Sequence, residues 1–293
     1  MGSGAPPLSR SIFGADPLDD FAVFVGDWIW GHCQYLSDIE VSDAVRGIVL
    51  PLQQIEAKVG RIVDRNTNAR IQLPVLTETI VDMRGIRFES NMSMRQHHHF
   101  NKLLNELVAC SATQGAHGAV RYSHQREKDY FYDETLADTG ETVHLRVTRD
   151  AKTKQIKPGG VVRKQRIADL NVYCPRRAFD YRISINTETP MEPPPEHSEP
   201  SYVREKDRLS YSHQNTNVDL TQVTLPEKPQ EPAHELEVEI RDAAQLMHHA
   251  QYTRGAEAPT TQDWTPFEDQ VLVLLNNVRL LIRNGAGSDE PGR

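Results

Sequence analysis

The chain has 293 residues, 38% of them hydrophobic and 25% charged, with a formal net charge of −8 and a mean hydropathy of −0.57. No run of 18 apolar residues occurs, which excludes a membrane-spanning helix, and the acidic balance excludes a broad basic exterior for gripping nucleic acid. Cys33, Cys110 and Cys174 lie far apart with no CxxC pair, which argues against a disulfide framework or zinc site and for reduced thiols in a cytosolic or nuclear protein.

The chain opens Met1-Gly-Ser-Gly-Ala-Pro-Pro, without the basic and apolar regions of a signal peptide. Residues 1–15 are read as a disordered, expression-derived start outside the fold. Phe21, Phe24, Val25, Trp28 and Ile29 recur at helical spacing and predict a helix over 16–38, with Asp16-Pro17 as its start signal. Strands are expected at 50–62 and 74–82, followed by a helix over 92–111 striped by Phe100, Leu103, Leu104, Leu107 and Val108. Further strands are expected at 118–132, 142–149, 160–173, 179–188, 203–213, 217–224 and 233–241, joined by short links that suit antiparallel pairing. The Pro- and Glu-rich stretch 189–201 reads as a flexible loop. Thr265, Pro266 and Glu268 form a helix-start signature, and an apolar face from Val271 to Ile282 carries that helix to Gly285. The reading is one domain over 16–284, with 285–293 as a flexible tail.

The strands are unusual in the charge of their polar faces. Glu235, Glu237 and Glu239 share one face of a strand whose other face is Leu236, Val238 and Ile240. Glu56 and Lys58 alternate with Ile55, Ala57 and Val59; Arg204, Lys206 and Arg208 line another strand. Arg182 with Glu188, Lys164 with Arg166, Arg146 with Thr148, and Asp219 with Thr221 repeat the pattern. One charged strand face is ordinarily a solvated one. Three Glu side by side repel unless a cation or basic partners offset them, and the recurrence over seven strands favours another arrangement. In a closed barrel, apolar residues would face outward under helices while charges line the interior. Carboxylates there suit a hard cation such as Mg²⁺ or Mn²⁺, and Lys and Arg suit phosphates.

Five ordered motifs carry a resemblance: Ile55-Glu-Ala-Lys-Val-Gly60, Arg182-Ile-Ser-Ile-Asn-Thr-Glu188, Arg204-Glu-Lys-Asp-Arg-Leu-Ser-Tyr211, Asp219-Leu-Thr-Gln-Val223 and Glu235-Leu-Glu-Val-Glu239. From about Asp16 to Ile240 the chain resembles the fungal-type RNA 5′-triphosphatases of mRNA capping, within the triphosphate tunnel metalloenzymes. The resemblance implies an α+β fold: an eight-stranded antiparallel β-barrel with packed flanking helices. It also implies a nuclear homodimer that removes the γ-phosphate from 5′-triphosphate mRNA ends with Mg²⁺ or Mn²⁺, and that hydrolyses nucleoside triphosphates with Mn²⁺. By motif, Glu56 and Glu239 would hold the metal, and Glu237, with Asp129, would orient the attacking water. Arg146, Lys206 and Arg208 would grip the γ-phosphate. Lys58, Lys164, Arg182, Glu188, Arg204, Asp219, Thr221 and Glu235 would line the remaining tunnel. The implied partners are the 5′-triphosphate RNA end, the mRNA guanylyltransferase and the RNA polymerase II C-terminal domain, with no membrane.

Two positions depart from the family pattern. Gln54 stands where the first acidic strand usually carries a metal-binding Glu; an amide oxygen can still coordinate, without charge. Gln54 is either a natural divergence or an introduced change that would leave a weakened or inactivated, substrate-trapping tunnel. Asn217 occupies a place usually basic. Two alternatives stay open: a non-catalytic triphosphate-binding tunnel, and a tunnel enzyme acting on inorganic tripolyphosphate. His97-His98-His99 and His248-His249 are not promoted to metal ligands, because consecutive residues on a helix point in different directions. Trp28 and Trp30 are expected to pack in the first helix or, as the lesser alternative, at a dimer interface.

Overall fold

The computed structural model describes residues 11–12, 19–44, 52–135, 142–255 and 265–285. The unstructured start and tail expected at 1–15 and 285–293 lie outside them apart from Ser11, Ile12 and Gly285. In chain order the elements are α1 (Asp20–Ala44), β1 (Leu52–Asp64), β2 (Thr79–Val81), β3 (Ile86–Glu89), α2 (Met94–Ser111), α3 (Gly115–Gly118), β4 (Arg121–Thr135), β5 (Thr142–Asp150) and β6 (Ile156–Tyr173). They continue with β7 (Asp180–Pro190), β8 (Tyr202–His213), β9 (Thr216–Leu225), β10 (Lys228–Ile240), α4 (Ala243–Arg254) and α5 (Pro266–Asn284).

Eight strands pair antiparallel in the order β10-β9-β8-β4-β5-β6-β7-β1, and β1 pairs with β10 to close the ring. Closure removes the exposed edges that an open sheet would present. The strands are staggered, as a barrel requires. From Glu237 the Cα partners run Lys58, Arg182, Asn171 in one direction and Asp219, Ser210, Ser123 in the other.

The hydrophobic core lies outside the barrel, not inside it. Ile55, Ala57 and Val59 of β1, Tyr181, Ile183 and Ile185 of β7, and Leu236, Val238 and Ile240 of β10 are buried under the helices. Against them pack Val25 and Ile29 of α1, Phe100 and Leu104 of α2, Leu246 of α4, and Val271, Leu274, Leu275 and Val278 of α5. Trp28 and Trp30 are partly buried against the same core. Each fully buried aliphatic side chain contributes on the order of 1.5–3 kcal/mol, so this outer layer holds the barrel while its interior carries charge.

Local signals set the helix limits. Ser93 and Gln96 form a reciprocal capping box on α2. Thr265 caps α5 through the Phe267 N–H, with Pro266 at its first turn. The start of α1 is set by Asp19, whose carboxylate accepts the Phe21 and Ala22 N–H groups at 3.0 and 3.1 Å; Asp16-Pro17, the expected signal, lies outside the described residues. Several elements differ from the sequence reading. The expected strand at 74–82 is only Thr79–Val81, a short addition to β6 outside the barrel. β3, α3 and α4 were not expected; β3 and α3 have 4 residues each, and the buried face of α4 is Ala243, Leu246, Met247 and Ala250, two of them small. The 189–201 segment is partly strand, since β7 runs to Pro190, and it is pinned at both ends by Met191 N–H to Val161 O and Ser201 N–H to Phe131 O.

Gly60 shows why a glycine closes the first motif. A Cβ there would sit 2.2 Å from the Glu89 carbonyl oxygen, where β3 crosses β1. Only a residue without a side chain admits that approach.

Candidate active site

The alternation that buries Leu236, Val238 and Ile240 on the outside turns Glu235, Glu237 and Glu239 into the lumen. The other strands do likewise, and every site residue expected from sequence is brought to this interior. Lys58 bridges two of the carboxylates: its ammonium pairs with Glu237 and lies 3.3 Å from Glu56. Burial works against the Lys58 charge, yet Glu237 and Glu56 overcome it and hold the ammonium above the usual lysine range. Glu237 accordingly stays ionised. Burial alone would raise it, but Lys58, with Arg208, brings it down to about 2.

Two residues along the same strand the balance reverses. Glu239 is pushed up to about 7, first by burial and then by Glu56, Asp219 and Glu237, with only the Gln54 amide N–H working the other way. Gln54 donates to Glu239 at 2.9 Å and accepts from Lys164 at 2.5 Å and from Asn186 at 3.3 Å. Asn186 also donates to Glu56 at 3.1 Å. Glu56 and Glu239 are Cα partners on adjacent strands. Two buried carboxylates side by side, one of them short of compensation, together with an amide oxygen, form an oxygen-only donor set of the kind a hard divalent cation takes. The residues therefore fit such an ion. Among the described residues, no three His, Cys, Asp or Glu side chains cluster closely enough to hold a metal by themselves.

Basic groups face these acids from β5, β6 and β8. Lys206 pairs with Asp129 at 2.5 Å, and Thr148 donates to the same carboxylate at 2.7 Å. Burial would raise Asp129, but Lys206 and Thr148 hold it below the usual range. Arg146 donates to Glu188 at 3.0 Å, Arg208 lies 3.3 Å from Asp219, and Arg204 lies 3.2 Å from Glu235. Lys164 reaches Glu56 at 3.7 Å and Glu188 at 3.9 Å, and burial lowers its affinity for a proton. Burial raises Asp219, and it raises Glu235 with help from Glu237. Buried Nε atoms of Arg146 and Arg208, Oδ1 of Asp219 and Oγ1 of Thr221 have no hydrogen-bond partner within the protein. Unpaired buried donors and acceptors are costly, so their convergence in the lumen marks a place built for a polar ligand.

Arg182 stands apart from the phosphate-facing cluster. It pairs with Asp169 at 3.2 Å, donates to Asn171 at 2.8 Å and lies over the Phe88 ring. Sequence reading missed Asn186 as the link between Glu56 and Gln54, Asp169 as the partner of Arg182, and Glu127, which pairs with Lys157. Asn186 and Glu127 sit at lumen-facing positions of the alternation, and that phase was the available signal; Asp169 reaches the lumen face only because β6 slips register between Arg166 and Ala168, which the sequence does not announce. The residues declined from sequence have other occupations: His97 packs on the His234 ring at 4.6 Å, His99 contacts the Asn284 carbonyl at 2.7 Å, and His249 bonds Gln270 at 2.9 Å. Cys33 and Cys174 are buried and Cys110 is exposed, each as a free thiol. Asn217 accepts from Ser212 at 2.6 Å. Two surface clefts, of about 1100 and 810 Å³, lie outside the tunnel and include none of its charged residues.

A closed eight-stranded antiparallel barrel flanked by helices, with opposed acidic and basic walls inside, defines a triphosphatase tunnel. The chain belongs to the mRNA capping enzyme beta-chain family, whose model matches residues 15–286. It is 36% identical over 236 residues to the mRNA-capping enzyme subunit beta of Schizosaccharomyces pombe, covering 78% of this chain and 74% of that protein. Its identity to the Cryptococcus neoformans subunit is 33% over 292 residues, 96% of this chain and 66% of the relative. The solved structure of S. pombe Pct1 RNA triphosphatase superposes with a TM-score of 0.78 at 30% identity, covering 96% of this chain and 99% of that one. The same protein in complex with the Spt5 CTD gives a TM-score of 0.79 at 30% identity, over 95% and 99% of the two chains.

Proposed function

We propose that this chain removes the γ-phosphate from 5′-triphosphate ends of nascent mRNA, the first step of cap synthesis, in a reaction that requires Mg²⁺ or Mn²⁺. The observation that carries this reading is the division of one closed lumen into an acidic side, with Glu56, Glu235, Glu237 and Glu239, and a basic side, with Arg146, Lys164, Arg204, Lys206 and Arg208. Glu56 and Glu239 would hold the cation, with the Gln54 amide oxygen as a neutral third donor. When bound, the ion supplies positive charge to the phosphate oxygens and lowers the barrier to water attack. Lys206, Arg208 and Arg146 bind the terminal phosphate and oppose the charge that develops on it. Glu237, kept ionised by Lys58, accepts a hydrogen bond from the attacking water and aligns it. Asp129 is a positioning residue, holding Lys206 in the lumen with Thr148. Lys164, Arg204, Glu188, Asp219, Thr221 and Glu235 orient the rest of the triphosphate and balance charge, while Arg182, apart from that cluster, balances Asp169. No phospho-enzyme is required.

A lumen that reads phosphates also admits free nucleoside triphosphates, and hydrolysis of these with Mn²⁺ is part of the proposal. So are a nuclear site of action, a homodimer, and contacts with the mRNA guanylyltransferase and the polymerase II C-terminal domain. The family's role in capping supports the nuclear site and the guanylyltransferase contact, and the Spt5 CTD bound to the S. pombe relative supports a contact of the polymerase II C-terminal-domain type.

Gln54 supports a second reading, a tunnel that binds triphosphates without turning them over, because its amide engages both Lys164 and Glu239 where a carboxylate would add charge for the ion. One assay decides. The purified chain and its Gln54→Glu variant are incubated with γ-labelled triphosphate RNA, ATP or tripolyphosphate, each with Mg²⁺ or Mn²⁺. Faster phosphate release from RNA by Gln54→Glu than by the chain as given is the expected result. Release by the variant alone establishes the binding-only reading for this chain, and no release by either from any substrate refutes the hydrolase reading.

A further inference from the structure

The lumen is aromatic at one end. Phe131 of β4 and Tyr202 of β8 are Cα partners, and their rings stack with centroids 4.2 Å apart and planes 6° from parallel. Both belong to the lumen face. On β4 the neighbours Tyr130 and Tyr132 pack outside with Leu145, Val147 and Val161, which leaves Asp129 and Phe131 together on the inner face. On β8, Tyr202 continues the row Arg208, Lys206, Arg204. The stack is held from beneath, since Ser201 donates to the Phe131 carbonyl through its N–H at 2.7 Å and its hydroxyl at 3.1 Å. Yet Tyr202 remains 45% exposed. Towards the other end, the same face of β4, β8 and β9 carries Ser123, Gln125, Ser210 and Asn217, and the ring found there, Phe88 of β3, is occupied by the Arg182 guanidinium over it.

The spacing gives this pair a task. Lumen-facing residues follow one another along a strand at about 6.6 Å. A triphosphate whose γ group lies between Arg208 and Lys206 brings its α group towards Arg204, and the attached nucleoside arrives at Tyr202. We propose that the Phe131–Tyr202 pair is a stacking platform for the first nucleobase of the substrate, so that the RNA enters from this end. The proposal rests on reading the tunnel as a triphosphate site. An open aromatic face accepts any base, which suits an enzyme that must act on many transcripts. Arg204, paired to Glu235 in the next position of the row, marks the junction between the phosphate and base subsites.

The test separates the base from the phosphates. Triphosphate RNA carrying 2-aminopurine as its first nucleotide is mixed with the full chain and Mg²⁺ in a stopped-flow instrument, and binding of inorganic tripolyphosphate is measured in parallel. The unsubstituted chain should quench the fluorophore. Tyr202→Ala should abolish the quench and weaken RNA binding roughly tenfold or more, while tripolyphosphate affinity stays within about twofold. Tyr202→Trp should keep both quench and affinity. Equal weakening of the two ligands by Tyr202→Ala, or no effect on either, overturns the platform. Tripolyphosphate binding without any quench in the unsubstituted chain overturns the platform alone. If the unsubstituted chain binds neither ligand, the triphosphate reading falls and the platform with it.

Discussion

The two faces of β10 are both buried, and they answer burial in opposite ways. On the outer face His234 meets His97 of α2, and neither ring finds an acid strong enough to keep it charged. Burial lowers His234, and burial with His234 beside it lowers His97 to about 4. One nitrogen on each ring has no hydrogen-bond partner in the protein. On the inner face Glu237 lies in the lumen with 16% of its side chain exposed, and Lys58 reaches it and holds it ionised at about 2. The difference teaches that partners, more than depth, decide which buried groups remain charged. Outside, the fold is held mainly by apolar contact, and the charges it buries there, such as Arg254 with Glu268, are closely paired; inside, it is held open by a mesh of opposed charges that a ligand can enter.

The largest effect is expected where one member of that mesh is removed. Lys58→Met leaves Glu56 and Glu237 in the lumen without their shared cation, and unpaired buried charge costs about 3–5 kcal/mol. Urea unfolding should show a loss of that order, and a loss below about 1 kcal/mol would mean that the lumen is wet enough to screen its own charges. The outer face should respond comparably for a different reason. Leu236→Ala deletes fully buried methyl groups beneath the helices and should cost about 2–4 kcal/mol, while triphosphate affinity below the unfolding temperature remains unchanged. A loss of affinity matching the loss of stability would show that the two faces are not independent.

How much of this contrast is legible in the sequence depends on which link is asked for. Leu236-Val238-Ile240 against Glu235-Glu237-Glu239 states both faces outright, because strand side chains alternate with period two and neither phase contains an exception. The same pattern in Ile55–Val59 and Arg182–Glu188 exposes the barrel wall. The pairings across the lumen are not legible. Arg146 of β5 reaches Glu188 of β7 over β6, and Lys206 reaches Asp129 diagonally on the next strand, where its direct partner is Glu127; both depend on a register that no single strand records. β3 escaped because Ile86–Glu89 is too short for a period to emerge, and the role of Asn186 because the alternation that puts it on the charged face names a face and not a contact. The five motifs supplied the roles, through family resemblance, that periodicity alone leaves blank.

A smaller effect on stability, with a larger one on chemistry, is expected at the acid that lacks compensation. Glu239 already stands against Glu56, Asp219 and Glu237, so Glu239→Ala relieves repulsion as it removes contacts. Its unfolding free energy should stay within about 1 kcal/mol of the parent. Phosphate release, measured in the Gln54→Glu background, should fall at least about 100-fold as one of the two carboxylates for the cation is lost. Retained turnover would take Glu239 out of the ligand set and would move the cation site towards Glu237.

The smallest effect belongs to the outer histidines and has a definite sign. In the unfolded chain His97 takes a proton near 6.5, whereas in the fold it does so near 4, with burial and His234 opposing the charge, His98 adding to them, and Asp207 working the other way. Between those values the unfolded chain binds a proton that the fold refuses. The contribution is therefore fully present above pH 6.5 and is lost progressively as pH falls towards 4. Glu239, raised to about 7, works the other way over the same window, so the sign is read as a difference: from pH 7 to pH 5 the thermal midpoint of His97→Gln, which removes the titration but keeps a neutral side chain of similar reach, should fall less or rise more than that of the parent. The control is Leu236→Ala on the same outer face, which alters no titrating group, so its slope near pH 6 should match the parent. A slope in His97→Gln no different from the parent's would show that His97 is not a group the fold keeps neutral.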